Sequence, residues 1–92
     1  MSNSILVEAA RLVDGDRQQD YGHPQDDFKR IATIWSTLLE NKLNVDLTPS
    51  EVGAMMIALK LSRTAFKNKR DNWIDIAGYA HCADLCTNYK QQ

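Results

Sequence analysis

Apolar residues recur along this chain at intervals of three and four, which is the spacing of an amphipathic α-helix. The pattern predicts four helices, at residues 4–14, 24–42, 49–68 and 72–89. No segment of five or more residues alternates convincingly between apolar and polar positions, so we predict no sheet. The expected fold is all-α, a small four-helix bundle forming a single domain over residues 1–92.

Local signals place several helix boundaries. Pro24 suits the first turn of the second helix, and Thr48-Pro49-Ser50-Glu51 is a capping box that opens the third. Asp71 is expected to cap the fourth helix, and the polar segment 15–23 is expected to be a loop. The short turn near residue 69 makes the last two long helices an antiparallel hairpin.

The length of the chain favours self-association. It has 92 residues, of which 43% are hydrophobic and 25% charged. A domain of this size buries only about 60–65% of its unfolded surface, so its core is thin. Met55, Met56 and Trp35 lie on long helical faces, and we expect a homo-oligomer, at least a dimer.

Charge and composition narrow the classes of function and the compartment. The net charge is −1, so a binder of duplex nucleic acid is not expected. Residues 47–92 carry the excess of bases, and an anion site is expected to draw its cations from there. The chain has no apolar run of membrane-spanning length and no basic start typical of a signal peptide. Cys82 and Cys86 are interpreted as reduced, which indicates a cytoplasmic protein.

The segment 16–24 is a first candidate ligand site. It places an arginine, an aromatic ring, a glycine and an imidazole within a short connection: Arg17, Tyr21, Gly22 and His23. Arg17 could bind a phosphate through two parallel hydrogen bonds, and Tyr21 could stack on a base. The alternative, which residue types alone favour, is that these residues only hold the connection in place.

The predicted hairpin supplies a second candidate site. With the turn centred near residue 69, Arg63 is expected to lie level with Asp75, and Lys60 level with Gly78. Asp71, Asp75, Gly78 and Tyr79 share one helix surface. These residues could form a ligand site, or Arg63 and Asp75 could form an interhelical salt bridge with Gly78 permitting close packing.

Metal chemistry has weaker support in the sequence. Asp71 and Asp75 at four-residue spacing could share a magnesium ion with one further carboxylate, from Glu8, Asp20, Asp26 or Asp27. Solvated acidic helix faces show the same spacing. Zinc is not expected, because the chain has no CxxC and His81 points away from the cysteine face. The basic run at 67–70 is interpreted as a solvated helix end, where cations complement the helix dipole.

Two sequence blocks resemble a known group of proteins. Residues 15–24 read GDRQQDYGHP and residues 71–80 read DNWIDIAGYA. Together they resemble short phage and prophage proteins of unassigned function, and the resemblance covers nearly the whole chain. It implies a phage gene product acting inside a bacterial host cell.

A more distant likeness is to the MazG-like all-α nucleoside triphosphate pyrophosphohydrolases. Their last core helix carries an aspartate before a small or aromatic stretch, as residues 75–79 do. The likeness implies magnesium held by acidic residues on two helices. This chain departs from the pattern, because it has no Glu-x-x-Glu or Glu-x-x-Asp pair; only Asp71 and Asp75 could replace the second pair.

These observations support one main hypothesis and two alternatives. The main hypothesis is a nucleotide-binding protein that sequesters a nucleotide-derived ligand, such as an immune signal, without turnover and without a cofactor. Its phosphate contacts would come from cations and its base contacts from rings: Arg17, Lys60 and Arg63; Tyr21, Trp73 and Tyr79. The alternatives are a magnesium-dependent pyrophosphohydrolase, with Asp20, Asp71 and Asp75 as ligands, and an inhibitor of a host enzyme.

Overall fold

The computed structural model describes residues 4–89, with side chains described to residue 87. This part of the chain forms five α-helices and no strand, which confirms the all-α prediction. In chain order they are α1 (Ile5–Asp14), α2 (Asp16–Tyr21), α3 (Pro24–Leu38), α4 (Pro49–Phe66) and α5 (Arg70–Tyr89). None of these described helices is long and apolar enough to cross a membrane.

The capping box predicted at the start of α4 is confirmed. The Thr48 hydroxyl accepts a hydrogen bond from the Glu51 amide at 3.2 Å, and the Glu51 carboxylate accepts one from the Thr48 amide at 2.8 Å. The reciprocal pair satisfies two amides that the helix itself leaves without partners. The start of α4 is therefore fixed by its own sequence.

The loop predicted at 15–23 is wrong over most of its length, because Asp16–Tyr21 is helical. Arg17, Gln18 and Gln19 are good helix formers, and Asp16 complements the positive end of the helix dipole. Gly22 ends the helix with a φ of 83°, in the region where residues with a side chain are strained. The polar composition of the segment reflects exposure rather than irregular structure.

Two other boundaries differ from the prediction. α3 ends at Leu38 instead of residue 42, where the Leu39 amide still bonds to the Trp35 carbonyl before the chain turns. α5 begins at Arg70, so Asp71 lies in its first turn and does not cap it. The turn between α4 and α5 is consequently centred at residue 68, one position earlier than expected.

The predicted hairpin of α4 and α5 is confirmed, and it forms the frame of the fold. α1 packs on α5, and α3 packs on both hairpin helices. Two polar contacts fasten α1 to α5: an ion pair between Glu8 and Arg70, and a hydrogen bond of 3.0 Å between the Asp14 carboxylate and the His81 ring. The core consists of residues from α1, α3, α4 and α5: Val13, Phe28, Ala32, Val52, Tyr79, Cys82 and Cys86.

Gly53 is a point of close contact between α4 and α5. A Cβ atom at this position would lie 2.9 Å from the Ala83 Cβ and 3.4 Å from the Tyr79 carbonyl oxygen. Neither neighbour is the end of a flexible side chain, so neither can move away easily. The missing side chain of Gly53 therefore sets the spacing of the hairpin.

We expect Gly53→Ala to destabilise the protein although alanine is the better helix former. Alanine gains about 1 kcal/mol of helix propensity, whereas overpacking a close contact costs about 1–3 kcal/mol. Thermal denaturation followed by circular dichroism should show a melting temperature several degrees lower. Gly53→Ala/Ala83→Gly should recover part of the loss, and a Gly53→Ala protein as stable as wild type would contradict the close contact.

Candidate functional site

The structure brings residues of both sequence candidates together where α1, α2 and α5 meet. Arg17 from the first candidate and Asp75, Gly78 and Tyr79 from the second line a common opening, which we call the junction cleft. Its volume is about 10 Å³, which is the space of roughly one water molecule. As it stands, the junction cleft has no room for a nucleotide.

Arg17 closes the junction cleft. Its guanidinium carbon lies 5.4 Å from the centroid of the Tyr79 ring, within the range of a cation–π contact. Tyr79 is 9% exposed, and its ring centroid lies 6.5 Å from that of Phe28. Arg17 and Tyr79 therefore connect α2 to α5. The Tyr79 ring is not open for a base to stack on.

The predicted partner of Asp75 is wrong. Lys60, and not Arg63, forms the salt bridge, with its Nζ atom 2.9 Å from the Asp75 Oδ2 atom. Because the turn is centred one residue earlier than predicted, residues 60 and 61 of α4, and not residue 63, lie level with Asp75. Both side chains are mostly buried, at 15% and 24% exposure, so this pair links α4 to α5 inside the hairpin.

Gly78 faces α1, and the space beside it could hold a Cβ atom. A Cβ atom there would lie 3.6 Å from a Val13 methyl and 4.0 Å from the Ala9 Cβ, which are ordinary contact distances. Gly78 thus adjoins both α1 and the junction cleft. The glycine whose missing side chain is needed for close packing is Gly53, which the sequence analysis did not single out.

The other residues of the first candidate have local structural contacts. Tyr21 is 55% exposed, and its carbonyl accepts a hydrogen bond from Arg30 at 3.3 Å. Gly22 supplies the turn, and the His23 Nδ1 atom accepts the Gln25 amide at 3.0 Å to cap α3. The roles of Gly22 and His23 match the structural alternative for this segment, whereas the Tyr21 side chain is exposed and does not fill the core.

The structure does not assemble the three candidate metal ligands. Within the described residues, no group of three or more His, Cys, Asp or Glu side chains is placed to hold a metal ion. Asp20 and Asp71 are exposed, and Asp75 is neutralised by Lys60. Cys82 and Cys86 are buried, and this burial raises the pKa of both thiols to about 11, which disfavours the thiolate form that binds metals.

The turn of the hairpin forms a second and much larger opening, which we call the tip cleft. Six residues line it, from the end of α4, the turn and the start of α5: Ser62, Arg63, Phe66, Lys67, Lys69 and Asn72. Its volume is about 510 Å³, which is within the usual size of small-molecule sites. Of the predicted ligand residues, only Arg63 lines it.

The electrostatics of the tip cleft are one-sided. No carboxylate is among its lining residues, and within the described part of the chain Arg63, Lys67 and Lys69 take part in no ion pair, as is also true of exposed cations elsewhere such as Lys29 and Lys42. Phe66 beside them is 94% exposed. Trp73 is 40% exposed and donates its indole N–H to the Asn68 side chain at 2.7 Å, which orders the turn.

Sequence reasoning missed most of the tip cleft because it interpreted the basic run as a solvated helix end. The cations do lie at a helix end, but Arg63 and Lys67 also face a concave surface with Phe66. The available signal was the excess of bases in residues 47–92, together with an aromatic residue immediately before the basic run.

Comparison with known proteins identifies relatives but no activity. The model of a family described as a domain of unknown function (DUF6378) matches residues 4–87. The Gene 55 protein of Mycobacterium phage D29 is 41% identical over 85 residues, which are 91% of this chain and 54% of that protein. The Gene 55 protein of Mycobacterium phage L5 is 42% identical over 78 residues, covering 84% and 48%.

The chain therefore spans about half the length of these relatives. No solved structure matches it.

We expect Lys60→Met to destabilise the protein much more than Arg63→Met. Removing Lys60 leaves the mostly buried Asp75 carboxylate without its partner, which costs an amount between that of exposed and buried pairs, about 1–3 kcal/mol. Arg63 has no such partner, so its removal should change the free energy of unfolding by less than about 0.5 kcal/mol. Urea denaturation measures both, and equal losses would contradict the pairing.

Proposed function

The chain belongs to the family described as a domain of unknown function (DUF6378), and we propose that it binds a nucleotide-derived ligand in the tip cleft without turning it over. The observation that carries this proposal is the set of three cations without carboxylate partners around an opening of about 510 Å³. The chain has a net charge of −1, yet three cationic side chains lie around this cleft and no carboxylate is among its lining residues.

The arrangement of these cations suits phosphate groups. Arg63 can donate two parallel hydrogen bonds to one phosphate, while Lys67 and Lys69 supply point charges on either side of the turn. The C-terminal end of α4 carries partial negative charge and the N-terminal end of α5 carries partial positive charge, so the two helix dipoles oppose each other at the cleft and the cationic side chains supply the net attraction for an anion. A ligand with more than one phosphate would use this positive charge best.

Phe66 makes a nucleotide a better candidate than inorganic phosphate. Its ring is 94% exposed and borders the cleft, so it is available for stacking on a base. Stacking of one base on an aromatic ring contributes about 1–3 kcal/mol. Cations together with one open ring are the combination that a nucleotide requires.

The positions of the carboxylates support the proposal of binding without turnover. Hydrolysis of a phosphate chain by metal-activated water needs several carboxylates around the ion. Asp75 is the residue that the MazG-like pattern aligns with a metal ligand. Its carboxylate is paired with Lys60 at 2.9 Å inside the hairpin. A magnesium-dependent pyrophosphohydrolase is the alternative, with Asp20 and Asp71 as further ligands.

The junction cleft is the second candidate location. Arg17, Lys60 and Tyr79 were predicted as ligand contacts, and Arg17 and Tyr79 line that cleft. A nucleotide would bind there only after α2 moved and the Arg17–Tyr79 contact opened. Replacing Arg17 and Arg63 one at a time therefore distinguishes the two locations, because each arginine lines one of the two clefts.

The phage origin of the relatives suggests a role for such binding. We propose that the protein acts as a homo-oligomer in the cytoplasm of a bacterial host and sequesters a nucleotide signal of the host's defence. Inhibition of a host enzyme through a helix face is the remaining alternative. It predicts no nucleotide binding at all.

We expect Arg63→Ala to weaken nucleotide affinity by about 10- to 100-fold, because it removes a charge-assisted phosphate contact of about 1.5–3 kcal/mol. Calorimetry with a panel of linear and cyclic mono- and dinucleotides measures this on folded protein. Phe66→Ala should also weaken binding while Phe66→Tyr should not. Lys42→Ala, an exposed cation outside both clefts, should bind as wild type does.

The same titrations separate the alternatives. Loss of affinity in Arg17→Ala with none in Arg63→Ala would place the ligand in the junction cleft and contradict the tip cleft. Mass spectrometry of each nucleotide after incubation with magnesium should recover it unchanged, whereas turnover would support the hydrolase. If no nucleotide in the panel binds, the proposed function is wrong.

A further inference from the structure

The outer side of α4 is a largely apolar surface that stays exposed in the described part of the chain. Residues 52–59 contain no charge, and over the whole of α4 only Glu51, Lys60 and Arg63 carry one. A helix that is apolar on every side is normally buried on every side. In α4 the inner side packs on α3 and α5, whereas Met55, Leu59 and Leu61 are 40%, 39% and 49% exposed.

The shape of this surface suits another helix. At 3.6 residues per turn, Ala54, Ala58 and Ala65 fall along the middle of the exposed side, and all three are exposed. Met55 and Leu59 lie along one flank of this alanine line and Leu61 along the other. Small residues along the middle let a second helix approach closely, while the larger flanking side chains can pack around it.

The charges at the two ends of α4 identify the partner. The first turn carries Glu51, and the last turn carries Arg63 followed by Lys67. A second α4 in antiparallel orientation places the acidic end of each helix beside the basic end of the other. A parallel orientation places like charges together, which is destabilising. The surface is thus complementary to itself about a two-fold axis, as the interface of a symmetric dimer must be.

We infer that α4 forms the interface of a homodimer, in which two α4 helices pack antiparallel with the two-fold axis near Ala58. The two hairpins then form a four-helix bundle with α4 of each copy at its centre. A single chain is also less compact than its length predicts, with a radius of gyration of 14.0 Å against roughly 12 Å for a globular domain of this size. This inference deepens the homo-oligomer of the proposed function and does not depend on the nucleotide.

Light scattering coupled to size-exclusion chromatography tests the interface at micromolar concentration. Wild type should give the mass of a dimer, and Ala58→Glu should give the mass of a monomer with an unchanged circular dichroism spectrum. Ala80→Glu is the matched control, because it places the same side chain at an exposed alanine of α5 and should leave the dimer intact. A monomeric wild type would overturn the homo-oligomer and the interface together.

A wild-type dimer that Ala58→Glu leaves intact would overturn the α4 interface while leaving self-association in place. Orientation has its own test with single cysteines and a short thiol cross-linker, since the native Cys82 and Cys86 are buried. Ala58→Cys, near the proposed axis, should link to itself in the second copy, and Ala65→Cys, near the end of α4, should not. Efficient linking of Ala65→Cys would show a parallel pair and contradict the inference.

Discussion

The close crossing of α4 and α5 at Gly53 is the constraint on which the rest of the structure depends. Because no side chain separates Gly53 from Ala83, the two long helices approach closely enough to bury the Lys60–Asp75 pair between them. α5 then presents its other side to α1, where Glu8 bonds to Arg70 and the Arg70 guanidinium holds the pKa of Glu8 below its usual value. The hairpin is therefore the frame on which α1 and α3 pack.

This arrangement separates two groups of charged residues that look alike in the sequence. Lys60 and Arg17 are used inside the fold, one in a salt bridge to Asp75 and the other on the Tyr79 ring. Arg63, Lys67 and Lys69 lie beyond the covered part of the hairpin and have no carboxylate partner among the described residues. The arrangement of these cations around one opening, beside the exposed ring of Phe66, is the basis of the proposed binding site.

Much of the fold could be predicted because its signals are local. The capping box at Thr48 and the spacing of apolar residues gave the helices and their pairing without any long-range information. The candidate site depended on which residues of α4 lie level with which residues of α5, and local signals do not fix this register. The turn is centred one residue earlier than predicted, and the partner of Asp75 is therefore Lys60 instead of Arg63. The role of Gly53 arises only when two distant segments meet, and the concavity around Phe66 depends on how the chain turns between α4 and α5, so periodicity could show neither.

Backbone amide chemical shifts during a nucleotide titration test the central claim that the hairpin turn is the binding surface. With ¹⁵N-labelled protein and a nucleotide that binds in calorimetry, the account predicts that the shifted amides lie in residues 62–73. It predicts no comparable shifts in residues 9–17 or 78–82, which surround the junction cleft. Shifts confined to those two segments, with the turn unchanged, would contradict the account.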